Sequence, residues 1–226
     1  NKSMRSVSLK SLPEAELAAF QTHQSGNNCA IHAIAAAVKL LAGTEFSPEA
    51  LSTEVDQLWR HGSFYRMLPG WAVTPGMQAR LVTFLAHTRN LPLQAQLKFL
   101  SLESLPTLLQ EDNQALLLTF TWLPSRAPAI YRGNSSVNYN ATRKAGGHTM
   151  LLAAYNPEHY SGSLPTPWGF VNSWIDGGTE LFWMSENDLR KAWNIAFFPL
   201  NLRLSVIIKK LSDDENETDK ITHRPC

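Results

Sequence analysis

The sequence predicts an α+β fold with helices in its first half and a sheet in its second. Three observations predict it. Two capped helix starts and an alanine-rich helical run precede residue 90, apolar runs of strand character begin at Leu93, and no βαβ alternation or internal repeat joins the halves.

In order along the chain, residues 1–20 carry few strong signals, although 13–20 suit one or two helical turns. The run AIHAIAAAVKLL at 30–41 is rich in Ala and Leu and is stopped by Gly43, so it reads as a buried helix. Ser47, Pro48 and Glu49 supply a cap, a first-turn proline and a first-turn acid for a helix to about Trp59. Thr74 and Pro75 repeat that start, and Met77, Leu81 and Leu85 carry the helix to about His87. Between them, 61–73 is a loop whose Phe64, Tyr65 and Trp71 either pack or line a cleft.

Residues 93–99 alternate as a strand, 102–110 form a short helix, and 115–122 are a β-rich apolar run. A long loop spans 124–146, of the kind often found to be functional. Further strands are expected at 149–155, 168–174, 180–184 and 202–209, with a short helix at 185–193 capped by Ser185. One domain therefore covers 1–211, roughly 1–92 helical and 93–211 sheet, and the charge run from residue 212 makes 212–226 a polar, flexible tail.

Composition narrows the function classes. Of 226 residues, 44% are hydrophobic and 17% charged, enough apolar surface for a sizeable core and too much for a disordered chain. Twenty Lys+Arg against nineteen Asp+Glu leave a formal charge of +1, so no basic excess favours nucleic acid. No apolar run approaches the ~20 residues of a membrane span. Residues 1–10 lack the apolar core of a secretory signal and two cysteines cannot build a disulfide framework, so a cytoplasmic setting is expected. The sequence carries no signal for an oligomeric state.

Cys29 is the one thiol inside the globular part, in SGNNCAIHA at 25–33, where a Gly-Asn-Asn turn gives way to a helix. A thiol there meets the positive end of the peptide dipole and unpaired N–H groups, which favour the thiolate. On this segment alone Cys29 is either an activated nucleophile or a small hydrophobe opening a core helix. His148 follows two glycines in AGGHTMLLAAY and begins an apolar strand, at the lip of a buried sheet. Asn172 stands on the next strand in WGFVNSWIDGG, with Trp174 two positions on. A strand disfavours Asn, and holding an imidazole in one tautomer is a reason to keep it there. Trp174 can shield that bond from water.

Cysteine, histidine and asparagine in this order resemble the papain-like cysteine peptidases. NNCAIHAIAAAVKLLAG, FSPEALSTEV, SLESLPTLLQEDNQALLLTF, His148, WGFVNSW and FWMSENDL are similar, over roughly 20–195, to the bacteriocin-processing-peptidase-like branch. The resemblance implies a helical lobe and an antiparallel sheet lobe with a cleft between them. It implies Cys29 as nucleophile, His148 as general base and then acid, and Asn172 as the residue orienting His148. Gln24 would join the Cys29 N–H in the oxyanion hole, a contribution of ~3 kcal/mol. Gln24 lies five positions before Cys29, one fewer than the usual papain spacing, so Gln21, Asn27 and Asn28 stand as alternatives. Other departures are Ala30 where the branch often has Gly, Asn172 where it commonly has Asp, and Ile175-Asp176 ahead of Gly177 and Gly178.

The activity this implies is thiol-dependent cleavage of a peptide bond in a peptide or protein substrate, with no metal or organic cofactor. A deamidase, transglutaminase or acyltransferase would use the same thioester, and a non-catalytic binding domain would need none of it. His32 makes a Cys-x-x-His pair with no second pair to complete a metal site, so it reads as cleft-lining or helix-packing. His61, His87, His159 and His223 read as surface groups, and Trp174, with Trp71 or Trp168, as near the cleft. The glycosylation triplets at Asn134, Asn140 and Asn216 read as chance matches, and Cys226 as a free terminal thiol.

Overall fold

Cap residues and apolar periodicity set most of the element order. The computed structural model describes residues 5–193 and 203–212; His223, Cys226 and all but the start of the expected tail lie outside them. A two-residue strand, β1 (Val7–Ser8), precedes a short helix, α1 (Glu14–Ala18). Helix α2 (Cys29–Ala42) buries every residue from Ala30 to Leu41 except Lys39, and its many alanines let it sit close to its neighbours. It stops at Gly43, whose φ of 69° lets its N–H reach Lys39 O at 2.9 Å. In α3 (Pro48–Trp59), Ser47 Oγ accepts from Ala50 N, and in α4 (Pro75–Thr88), Thr74 Oγ1 accepts from Met77 N, the two caps expected from sequence.

The second half contributes β2 (Leu93–Phe99), α5 (Leu105–Leu109), β3 (Gln114–Trp122), β4 (Tyr131–Arg132) and β5 (Gly146–Tyr155). A small hairpin, β6 (Tyr160–Ser161) with β7 (Leu164–Pro165), leads into β8 (Trp168–Val171) and β9 (Phe182–Met184). Helix α6 (Glu186–Trp193) is capped by Ser185, whose Oγ accepts from Asp188 N at 3.1 Å, and β10 (Leu204–Lys210) closes the described chain.

All of these strands but β6 and β7, which pair only with each other, form one antiparallel sheet in the order β2-β10-β3-β5-β8-β9-β4, with β1 also paired to β5. The molecule is thus mixed helix and antiparallel sheet. Helix α2 packs on β5, and α4 on β2 and β10. Among the described residues an apolar cluster runs from Ile31 and Ile34 of α2 through Leu116, Leu151 and Phe170, with Phe120 edge-on to Phe170 at 5.6 Å. Packing α2 on β5 brings the start of that helix to the start of that strand.

Four expectations need correction. The N-terminal segment, read as nearly featureless, adds β1 to the sheet. Strand β5 begins at Gly146, so His148 is its third residue and only 4% exposed, not at an exposed lip. Strand β8 ends at Val171, which puts Asn172 just past the strand, where its propensity cost disappears. His159 is buried, not a surface group: the β6–β7 hairpin holds it on Trp183, rings 3.7 Å apart and 12° from parallel, with Nδ1 donating to Thr166 O at 3.1 Å. His61 and His87 are exposed, as expected.

Candidate active site

Cys29 is the first residue of α2, and its N-cap Asn28 makes no side-chain cap bond. The helix's opening N–H groups are therefore left to other acceptors. The half-buried thiol lies under the influence of His148 and of the backbone N–H groups of Thr149 and Ala30. Burial is the largest single influence on this thiol and pushes it up. The charge and hydrogen bond of His148, with the two backbone donors, outweigh burial and hold the thiol below its ordinary value. Gly146, two residues before the histidine, has to be glycine: a Cβ there would stand 2.8 Å from the Trp122 ring.

His148 Nε2 lies 2.6 Å from Asn172 Oδ1, and Ser173 N donates to the same oxygen at 2.7 Å. A backbone N–H only donates, so the atom facing both groups is the amide oxygen. It follows that Nε2 carries the imidazole proton and Nδ1 is the nitrogen left to the sulfur. Trp174 covers the ring, stacked at 4.7 Å and 21°, and itself rests edge-on against buried Phe182. Of the other tryptophans placed near a cleft, Trp168 is buried against Tyr155 and Trp71 is exposed.

The structure separates the four oxyanion candidates. Gln24 is bound to the residue after Asn172: its N donates to Ser173 O at 2.8 Å and its Oε1 accepts from Ser173 Oγ. One hydrogen of its Nε2 goes to Gly26 O at 2.8 Å, and an amide nitrogen has a second to offer. Gln21 spends both amide hydrogens on Gly177 O and Glu180 O, while its Oε1 accepts from Asn172 N, so it braces the turn behind Asn172 instead. Asn28 commits its Nδ2 to Glu49 at 2.9 Å, and Asn27 is exposed, its carbonyl held by Arg66.

His32 both lines the site and packs. Glu49 Oε1 accepts from its Nε2 at 3.0 Å, which leaves Nδ1 to accept from Thr22 Oγ1 at 2.6 Å. Burial is the main influence on His32 and lowers it, outweighing Glu49, so the ring is neutral at neutral pH. Thr22, Cys29, His32, Asn172 and Ser173 border a cavity of about 10 Å³, room for one water. Among the described residues no cluster of three His, Cys, Asp or Glu could hold a metal. Asn140 gives its Nδ2 to Pro128 O and is buried, which closes that glycosylation triplet.

The contacts that sequence reasoning missed are those made by Gln21, Thr22, Glu49, Arg66 and Ser173. Gln21 carried a signal as an alternative oxyanion donor and Glu49 as a first-turn acid, and neither signal points to the contacts these residues make. No family model matches the chain, and no curated protein matches it. The geometry therefore stands alone: a thiol with a depressed pKa, an imidazole in one tautomer, and an amide oxygen behind it.

Proposed function

We propose that this chain is a thiol-dependent hydrolase that cleaves a peptide bond through Cys29, His148 and Asn172. The observation that carries the reading is the 2.6 Å contact between His148 Nε2 and Asn172 Oδ1, with the charge of the same ring acting on the Cys29 thiol to lower it. In this mechanism the Cys29 thiolate attacks the amide carbonyl. The developing oxyanion is held by the Cys29 N–H and the second Gln24 amide hydrogen, ~3 kcal/mol for such a donor. His148 passes a proton to the leaving amine, and water then hydrolyses the thioester with His148 as base, a role worth roughly 10²–10⁴-fold.

The resemblance to papain-like peptidases, with a helical lobe, a sheet lobe and a cleft between them, belongs to this proposal and is supported by the α+β order and by α2 lying on β5. A peptide or protein substrate is supported by the loop at 61–73. Arg66, 1% exposed, donates to Asn27 O and Trp71 O and so ties exposed Phe64, Met67, Leu68 and Trp71 to the turn before Cys29. Apolar side chains of an extended chain can rest there. No described helix is long and apolar enough to cross a membrane. A catalytic thiol stays reduced in the cytoplasm, the setting that suits this chemistry.

Mass spectrometry of a peptide mixture incubated with the chain tests the reading. Cut peptides that vanish with Cys29→Ala support it. Intact peptides, deamidated side chains only, or cutting that survives Cys29→Ala overturn it.

A further inference from the structure

We propose that Glu49 is a positioning residue for acyl transfer at Cys29, an inference that rests on the thiol-hydrolase reading. Its carboxylate gathers four donors from the segment that carries the nucleophile. These are Ser25 N at 3.3 Å, Ser25 Oγ at 2.8 Å, Asn28 Nδ2 at 2.9 Å and His32 Nε2 at 3.0 Å. Two lie in the turn before Cys29, one on its N-cap and one a helical turn beyond, so a single side chain of α3 grips Cys29 from both sides along the chain.

That segment needs a grip. Ser25, Gly26 and Asn27 are exposed, Gly26 turns at a φ of 71°, and Asn28 makes no cap bond that would fix the helix start. The same stretch carries the two oxyanion donors, the Gln24 amide and the Cys29 N–H. Their spacing depends on how the 25–28 turn is held. Arg66 also donates to Asn27 O, and its own guanidinium is anchored by Asp56 at 2.8 Å. The influences that hold the thiol down come from His148, Thr149 N and Ala30 N, and Glu49 hydrogen-bonds none of these groups. Glu49 thus acts on where the oxyanion forms and leaves the reactivity of the sulfur alone.

Two probes separate those effects. Turnover of p-nitrophenyl acetate passes through a tetrahedral oxyanion twice, once as sulfur displaces p-nitrophenolate and once as water hydrolyses the acetyl thioester. Alkylation by iodoacetamide displaces iodide from carbon and builds no oxyanion. With Glu49→Ala, kcat for the ester is expected to fall roughly ten- to hundredfold, the scale of an ~1 Å misplacement, with KM within about threefold and Cys29 alkylation unchanged. Glu49→Gln keeps the shape but turns one acceptor oxygen into an NH2. It is expected to lose at least about threefold, and it decides the matter by itself where the alanine variant does not fold. Glu49 variants that match the parent chain on the ester, or that lose alkylation in proportion to turnover, overturn the inference alone. A parent chain without Cys29-dependent turnover overturns the thiol-hydrolase reading and this inference together.

Discussion

Replacing Asn172 by alanine separates a catalytic relay from a packing contact. Asn172 Oδ1 receives two buried donors, His148 Nε2–H at 2.6 Å and Ser173 N–H at 2.7 Å, with His148 4% and Asn172 2% exposed. Leaving a buried donor without its acceptor costs about 1–3 kcal/mol. For Ser173 that cost falls on stability and appears as a lower urea midpoint. For His148 it falls on the ring, because with no acceptor at Nε2 the imidazole loses the contact that fixes its orientation toward the sulfur. At about 1.4 kcal/mol per tenfold, 1–3 kcal/mol becomes roughly a five- to 150-fold loss of kcat/KM. The assay is p-nitrophenyl acetate hydrolysis at neutral pH, with urea unfolding measured on the same samples. A variant that unfolds more easily yet hydrolyses the ester within about twofold of the parent would make Asn172 a packing residue only.

Three further outcomes follow from the same contacts. In His148→Ala the burial that raises the Cys29 thiol loses its main opposition, so the pH midpoint of iodoacetamide alkylation moves up; an unmoved midpoint would show that His148 does not stabilise the thiolate. Burial raises Glu49, but hydrogen bonds from Asn28, Ser25 and His32 overcome it and bring the carboxyl from 4.5 to about 2. A folded-state value below the unfolded one means stability that is complete above pH 4.5 and drains away as pH falls toward 2, so thermal melts across that window should slope less for Glu49→Gln than for the parent. Phe120→Ala removes a fully buried ring set edge-on to Phe170 and should cost about 3–5 kcal/mol in urea unfolding, with a loss under 1 kcal/mol contradicting the packing described.

Much of the fold was legible because its signals are local. Ser47-Pro48 and Thr74-Pro75 announce helix starts within four residues, and the apolar run at 30–41 buries itself whatever lies opposite. The two-residue strand β1 has no periodicity to read, and the insertion of β10 between β2 and β3 depends on partners distant in sequence. The site divides in the same way. Cys29, His148 and Asn172 sit in short segments whose chemistry is visible residue by residue, and the structure brings all three together. Gln21 could be set aside only once both of its amide hydrogens were traced to Gly177 O and Glu180 O, and Asn28 only once its Nδ2 was found on Glu49. Glu49 looked like an ordinary first-turn acid, since nothing in Ser-Pro-Glu says which turn it will face across the fold. His159 looked like a surface group for the same reason, because the hairpin that lays it on Trp183 is a tertiary feature.

Acyl transfer by this chain requires that Cys29 take up an acyl group and that it do so because of His148. Rapid quenching of the p-nitrophenyl acetate reaction, followed by peptide mapping, measures this directly. The expected result is an acetyl thioester on Cys29, formed in a burst by the parent chain, slowed in His148→Ala and absent in Cys29→Ala. An acetyl group found only on other side chains, or a burst that persists without Cys29, would contradict it.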